Sequence, residues 1–300
     1  MRIVTRPDFD GIVCAVLLQS AESVEGPIYW TEPSDIQKGT AQIRRGDILA
    51  NLPYDPRCSL WFDHHFSNRI DASFQGAWRL APSAAGVIHA YYRGRLGTAF
   101  DALVRQADKI DAARLTEEEV QYPERHPYIL LSMTVSGRDR RDEPYWNLLV
   151  AELGRETIES VMALEAVAAR CRQVVAENRC YRDVLLAHTR LYDHVAVTDL
   201  RAHPDAPDGN RFLSYSLFPQ SSVHVKVRRD ARHPDRVSIS VGHSIFNQTC
   251  KVNVGVMLAA FEGGGHRGAG GCNIAASRAD DCLERIVAIL RRNAPNVAEG

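Results

Sequence analysis

The sequence predicts an α/β protein whose first domain is built on a parallel β-sheet. Residues 2–5 form a short apolar strand, an acidic loop follows, and residues 12–18 are apolar without interruption. A strand, a loop and a buried helix in this order are typical of a parallel α/β unit. Residues 58–62 form a second apolar run, typical of a strand covered on both faces of its sheet.

The remaining segments predict two domains, which a chain of 300 residues suits. In the first, over residues 1–190, we predict further strands at 27–30 and 47–51, helices at 82–92 and 98–108, and a long linking helix from about 155 to 187. The second domain, over residues 191–300, is predicted to be smaller, with a mixed sheet. Its predicted strands are residues 194–198, 212–218, 223–228, 237–241 and 272–275, and its helices are 253–261 and 279–291.

Ligand-type side chains follow two of the predicted strands. Asp8 and Asp10 come after the first strand, and Asp63, His64 and His65 end the apolar run at residues 58–62. The carboxyl ends of strands in open α/β sheets are where ligands bind, and carboxylates with imidazoles suit Mn²⁺ or Mg²⁺. Taken singly, the acidic loop also fits a turn or a helix cap, and Asp63 also fits an orienting role behind a histidine.

Two further stretches carry chemistry. Asp108 is placed at a helix end, where a carboxylate is unfavourable to the helix dipole, and this conflict favours a function. Gly263, Gly264 and Gly265 precede His266 and Arg267. Consecutive glycines let backbone N–H groups face an anion, and arginine binds phosphate in bidentate fashion. A glycine-rich turn without a ligand is the alternative.

The composition excludes several classes of protein. The net charge of −1 gives no overall attraction to nucleic acid or membranes, and the longest fully apolar stretch is too short to span a bilayer. Seven scattered cysteines include no C-x-x-C pair, which argues for reduced thiols. We therefore expect a cytoplasmic protein with no membrane segment; the oligomeric state, including a homodimer, stays open.

Together these stretches resemble the DHH phosphoesterase superfamily, and in particular its exopolyphosphatase-related proteins. The matching segments are residues 8–11, 63–65, 107–108 and, in the order expected, 263–270. The resemblance implies a catalytic parallel-sheet domain, a smaller mixed-sheet domain that binds substrate, and an active-site cleft between them. It implies metal ligands at Asp8, Asp10, His64 and Asp108, catalytic roles for Asp63, His64 and His65, and substrate contacts from residues 263–267.

Two positions depart from the family pattern. Many members have a histidine four residues before the first aspartate, where this sequence has Val4. The strand before the DHH strand commonly ends in an aspartate that bridges two metals, and here it ends in Asn51. The resemblance therefore implies Mn²⁺ or Mg²⁺ with one ion or two.

Three functions follow from these observations. The first is a metal-dependent phosphohydrolase acting on a small nucleotide, a short oligonucleotide or polyphosphate. The second is a non-catalytic nucleotide- or phosphate-binding protein with a degenerate metal site, which Val4 and Asn51 motivate. The third is a structural or partner-binding protein with no phosphate ligand.

Overall fold

The computed structural model describes residues 1–137, 139–230 and 233–296. The chain forms two compact units: residues 1–115 with 122–174, and residues 116–121 with 175 onward. The division falls inside a long helix. The boundary near residue 190 and the cleft between the domains stay predictions.

The first unit contains a five-stranded parallel sheet in the order β2-β1-β3-β4-β5. Val4 pairs with Leu49, and Ala50 pairs with Phe62, so the carboxyl ends of three strands lie side by side. The chain leaves β1 for one neighbour and later returns to its other side, which creates a switch point between β1 and β3. The strands are β1 Arg2–Thr5, β2 Tyr29–Trp30, β3 Asp47–Ala50, β4 Leu60–Asp63 and β5 Gly76–Trp78.

Helix α1 is buried on every side, which explains its uninterrupted apolar sequence. All residues from 9 to 18 are buried, and the helix contacts α3, α5 and α8 as well as β1. The helices are α1 Phe9–Ala21, α2 Pro33–Gln37, α3 Ala84–Tyr91, α4 Arg93–Leu96, α5 Asp101–Asp111, α6 Glu117–Gln121, α7 Pro127–Met133, α8 Glu143–Leu153, α9 Ile158–Ala163 and α10 Glu165–His188. Of these, α6 belongs to the second unit, and α10 belongs to both.

The second unit contains a six-stranded mixed sheet in the order β10-β11-β9-β8-β7-β6, in which only β7 and β8 run parallel. Val223, Val225 and Val227 alternate along β8 and are fully buried in the core of this unit. The remaining elements are β6 Thr189–Tyr192, β7 Val195–Asp199, α11 Leu213–Leu217, β8 Val223–Arg229, β9 Arg236–His243, α12 Val254–Ala259, β10 Gly264–His266, β11 Ala269–Ala275 and α13 Ala279–Arg292. The predicted parallel sheet with helices and the predicted mixed sheet are both confirmed.

The predicted strand at residues 212–218 is wrong, because this segment forms α11. The Asn210 side-chain oxygen accepts a hydrogen bond from the Phe212 backbone N–H at 3.0 Å, which begins a turn. The Ser216 hydroxyl then donates to the Leu213 carbonyl at 3.0 Å inside the helix. A short apolar segment carries no period that separates helix from strand, so these local hydrogen bonds decide the outcome.

Among the described residues, no helix combines the length and the apolar character needed to cross a membrane.

The loop between β1 and α1 depends on Gly11. A Cβ atom at this position would lie 2.0 Å from the Arg6 carbonyl oxygen, which is backbone and has no freedom to move aside. We expect Gly11→Ala to lower the free energy of unfolding of the first unit by about 1–3 kcal/mol, the usual cost of overpacking. Urea denaturation measures this difference.

Gly94→Ala is the matched control, because a Cβ at Gly94 would meet no atom within 4 Å. Alanine in the exposed helix α4 should leave stability unchanged or raise it by about 0.5–1 kcal/mol. Equal stabilities for the two variants would contradict the proposed close approach at Gly11.

Candidate metal centre

Polar residues from three loops meet at the carboxyl edge of the parallel sheet. Asp8 follows β1, Asn51 follows β3, and His64 follows β4. The Asn51 amide nitrogen donates a hydrogen bond to Asp8 Oδ1 at 3.1 Å. Asn51 has a φ of 57°, in the left-handed region that asparagine tolerates better than most residues. The order of the strands therefore brings together residues that are far apart in sequence.

Asp10 is fixed at the start of helix α3. Its Oδ2 and Oδ1 atoms accept hydrogen bonds from the backbone N–H groups of Ala84 and Ala85, both at 2.9 Å. The first turn of a helix offers unpaired N–H groups and a partial positive charge, which stabilise a carboxylate. The carboxylate is buried, with 2 % of the residue exposed, so its position is rigid.

His64 faces two carboxylates with an unpaired nitrogen atom. Its Nδ1 lies 3.0 Å from the Ala81 carbonyl oxygen, and a carbonyl only accepts, so Nδ1 carries the hydrogen. In neutral His64, Nε2 then carries a lone pair and no hydrogen. That atom is buried without a hydrogen-bond partner, 3.3 Å from Asp111 Oδ2 and 3.9 Å from Asp10 Oδ2.

The orphaned Nε2 atom and the two carboxylates beside it form a donor set that fits a metal ion. A buried lone pair beside two carboxylates is unfavourable, and a cation among them relieves it. Ligand atoms of Asp10, His64 and Asp111 all lie within 4.8 Å of one another. Asn51 Oδ1 is a second buried acceptor without a partner at this edge. One imidazole with two carboxylates suits Mn²⁺ and also Mg²⁺.

Asp108, a predicted metal ligand, has a different neighbour. Its Oδ1 accepts a hydrogen bond from the Ser83 hydroxyl at 2.6 Å, and the Ser83 oxygen accepts from Gly86 N–H at 2.9 Å as the cap of α3. A Cβ at Gly86 would lie 2.6 Å from Asp108 Oδ1, so glycine permits this approach. Asp108 therefore links α5 to the start of α3.

The carboxylate beside His64 is Asp111, which the sequence analysis missed. Asp108 does not belong to either group of metal-ligand atoms found among the described residues, whereas Asp111 does. The two aspartates are three residues apart and so share a face of α5. The argument from the helix dipole applies equally to Asp111, the last residue of that helix. The spacing of three residues indicates that both carboxylates lie on one face of α5, but the sequence does not indicate which of them lies beside His64.

Asp63 orients His65. Asp63 is fully buried, its Oδ1 lies 2.9 Å from His65 Nδ1, and its Oδ2 accepts from the Asn68 amide at 2.7 Å. Both carboxylate oxygens are thus engaged within the loop. The hydrogen bond to Asp63 raises the pKa of His65, although burial opposes it. Ligand-type atoms of Asp63, His64 and His65 also form a second group close enough to hold an ion.

The carboxylates crowd one another at this edge of the sheet. Burial, followed by the charges of Asp111 and Asp8, raises the pKa of Asp10 well above its usual range. Burial also raises the pKa of Asp8, while the nearby Arg6 guanidinium opposes that shift. The raised pKa values mean that the site favours an added positive charge.

Arg6 is a fixed cation beside this site. Its Nε donates to Glu32 Oε2 at 3.2 Å, and its Nη1 lies 3.3 Å from Asp8 Oδ2. Burial alone would lower the pKa of Arg6, but Asp8, Glu32 and Asp111 raise it above the ordinary value. The guanidinium therefore stays charged.

A cavity of about 370 Å³ adjoins the site within the first unit. Ala81, whose carbonyl holds His64, and Asp108 both contribute to its wall. Arg79, Arg93 and Arg105 line the same cavity together with Asp101 and Asp108. Asp101 pairs with Arg93 at 2.6 Å, so Arg79 and Arg105 are the cations that suit an anion there.

In the second unit, the glycine-rich segment forms an edge hairpin. Gly264–His266 is strand β10, which pairs with β11 and is exposed. His266 Nδ1 accepts a hydrogen bond from Gly268 N–H at 3.2 Å, and Arg267 lies at the turn. Burial lowers the pKa of the neighbouring His243, and the charges of Arg267 and His266 lower it further. The exposed Arg267 guanidinium at this turn suits an anion. Gly263 precedes the strand.

The sequence matches no protein-family model and no curated protein. Among solved structures, the fold is similar to the pGpG-specific phosphodiesterase PggH from Vibrio cholerae, with a TM-score of 0.87, 28% identity, and coverage of 98% of this chain and 99% of that chain.

Two more distant structures share the fold. RecJ from Thermus thermophilus in complex with Mn²⁺ aligns with a TM-score of 0.59 at 13% identity, over 97% of this chain and 52% of that chain. An exopolyphosphatase-related protein from Bacteroides fragilis aligns with a TM-score of 0.50 at 12% identity, over 97% and 93% of the two chains. These similarities agree with the parallel sheet and the mixed sheet described above.

The pair Asp63 and His65 makes a testable electrostatic prediction. Because the carboxylate stabilises the imidazolium, Asp63→Asn should lower the pKa of His65 toward its ordinary value or below it. A group with a raised pKa adds stability that is complete at low pH and is lost as pH rises through that pKa, so the variant should lose most stability below about pH 6.5. NMR titration of imidazole C–H signals in chelator-treated protein measures the shift.

His243 is the internal control for this titration, since its pKa is set by burial and by cations of the second unit. Its midpoint should not change in the variant. An unchanged midpoint for His65 would contradict the assignment of the hydrogen bond.

Proposed function

We propose that this chain is a metal-dependent phosphodiesterase of the DHH phosphoesterase superfamily. Its proposed substrates are short 5′-phosphorylated oligonucleotides such as pGpG. The observation that carries the proposal is the buried, unpaired His64 Nε2 between Asp10 and Asp111. Similarity over nearly the full length of a pGpG-specific phosphodiesterase supports the choice of substrate.

Asp10, His64 and Asp111 would hold the metal ion. A bound divalent ion supplies a polarised phosphoryl group and a water of lowered pKa. The backbone N–H groups of Ala84 and Ala85 keep Asp10 in place, and the Ala81 carbonyl keeps the His64 ring in the tautomer that binds a metal. Mn²⁺ is our first choice because histidine participates, and Mg²⁺ is the alternative.

His65 is the candidate proton carrier. Asp63 accepts the hydrogen on Nδ1, so Nε2 is the atom that exchanges a proton with water or with the leaving oxygen. A raised pKa increases the fraction of imidazolium near neutral pH, which suits a general acid. Asp63 thus acts through His65, as a positioning residue.

Each unit carries a candidate anion-binding surface. In the second unit, the Arg267 guanidinium at the turn of the edge hairpin would donate to a phosphate, and His266 with residues 263–265 stay predicted contacts. In the first unit, the cavity beside Asp108 would bind an anionic group. A short nucleotide suits this chain better than a long nucleic acid, because its net charge is −1.

Seven free cysteines support the proposed cytoplasmic location, since such thiols persist in a reducing compartment. The homodimer stays a prediction.

Asn51 favours a second function, a phosphate-binding protein without catalysis. Its neutral amide stands where many family members have a carboxylate, and its nitrogen is engaged by Asp8. Such a protein would bind nucleotides with Mn²⁺ and release no product.

The first experiment incubates purified protein with pGpG and with polyphosphate in Mn²⁺, Mg²⁺ or chelator, and detects products by chromatography. We expect mononucleotide from pGpG with Mn²⁺ and none with chelator. His64→Ala should reduce turnover by at least about 10³-fold, because it removes a metal ligand. Binding without any product would favour the second function, and unchanged turnover in His64→Ala would exclude this site.

A second experiment separates the two aspartates of α5. Asp111→Asn should weaken Mn²⁺ binding by more than about 100-fold. A residue that only orients a metal ligand changes the affinity by about 10–100-fold, so a larger loss indicates a direct ligand. Asp108→Asn should weaken it by about tenfold or less, because Asp108 binds Ser83. Isothermal titration calorimetry measures both. The reverse order of effects would restore Asp108 as the ligand.

A further inference from the structure

Asp8 is surrounded by donors that belong to the protein itself. Its Oδ1 accepts from Gly11 N–H at 2.8 Å and from the Asn51 amide at 3.1 Å. Its Oδ2 lies 3.3 Å from Arg6 Nη1. Both oxygens are therefore engaged, one by neutral donors and the other by a cation. Asp10 differs, because its partners are two backbone N–H groups, and because it lies beside the orphaned nitrogen of His64.

Arg6 is held at both its backbone and its side chain. Gly11 packs directly against the Arg6 carbonyl oxygen, and the same oxygen accepts from Asp8 N–H at 2.9 Å. The side-chain Nε donates to Glu32. Its Nη1 pairs with Asp8, and within the described part of the chain its Nη2 has no hydrogen bond; the side chain is 41% exposed. The guanidinium thus has Nη2 available for a ligand at the edge of the sheet.

These contacts place a permanent cation next to a carboxylate that would otherwise attract a metal. We infer that the Arg6 guanidinium takes the place of a second metal ion: it neutralises Asp8 and donates to an oxygen of the substrate phosphate, beside a single ion on Asp10, His64 and Asp111. This inference rests on the proposed function. Arginine suits the role because its planar fork binds phosphate in bidentate fashion and keeps its charge.

The metal count tests the inference without any substrate. Calorimetric titration of the chelator-treated wild-type protein with Mn²⁺, checked by elemental analysis, should give one ion per chain. Arg6→His removes the cation and adds a ligand beside Asp8 and Asn51, so we expect two ions per chain. Two ions in the wild-type protein, or one ion in a folded Arg6→His variant, would overturn the inference.

Arg57→His is the matched control. Arg57 also pairs with an aspartate two residues away, Asp55, at 2.6 Å. Those residues are not among the groups of metal-ligand atoms found in the described chain. This variant should bind one Mn²⁺, and binding of two would overturn the inference by showing that any such substitution adds a site.

Kinetics test the contact with substrate. With Mn²⁺ saturating, Arg6→Gln should lower kcat on pGpG by about 10²–10³-fold, the usual effect of losing one donor to a charged oxygen. The kcat of Arg6→Lys should lie between those of the wild-type protein and Arg6→Gln, because lysine keeps the charge but lacks the planar fork of arginine. A wild-type kcat in Arg6→Gln would overturn this contact while leaving the phosphodiesterase itself intact. If the wild-type protein hydrolyses no substrate at all, the proposed function fails, and the metal count still tests Arg6.

Discussion

The site depends on one interaction, the docking of the Asp10 carboxylate on the backbone N–H groups of Ala84 and Ala85. It joins the first turn of α1 to the first turn of α3 across 74 residues of sequence. The same turn is capped by Ser83, whose hydroxyl donates to Asp108 on α5. Helix α5 also carries Asp111, so the contacts of Asp10 with α3 and of α3 with α5 position the carboxylate beside His64. The geometry of the candidate metal centre therefore depends on how α3 and α5 pack.

Electrostatics support the inference that the site holds a single divalent ion. Two unit charges about 4 Å apart interact by about 4 kcal/mol at an effective dielectric constant of about 20. A divalent ion at that distance from the Arg6 guanidinium would be repelled by at most about 8 kcal/mol, and by less where solvent reaches this side chain, which is 41% exposed. Asp8 would have to offset that repulsion while it also binds Gly11 and Asn51. With Asn51 in place of a carboxylate, the loop after β3 adds no negative charge to help.

The sequence predicted the parts of this site that follow strands, because a parallel sheet brings the carboxyl ends of its strands to one edge. Asp8, Asp10 and residues 63–65 are of this kind. It did not distinguish Asp108 from Asp111, since both occupy one face of α5 and only the packing on α3 separates them. Nor did it indicate Arg6, whose role depends on Glu32 and Asp8 meeting at its side chain. Residues 212–218 were mistaken for a strand because local hydrogen bonds, which no hydrophobic period records, form the helix there.

A fixed guanidinium and a metal ion interact differently with a phosphate and with water. This difference bears on which residues would activate the attacking water and which would transfer a proton. Arginine orients a phosphate and neutralises it, but it offers no coordination position for water. Under the proposed function, activation of the attacking water would therefore fall to the ion held by Asp10, His64 and Asp111. His65 stands next to His64, with ring centroids 4.1 Å apart, and Asp63 fixes its hydrogen on Nδ1. If the proposed site has one activating position, its proton carrier must lie within reach of that position, and the adjacency of the two histidines would meet this requirement.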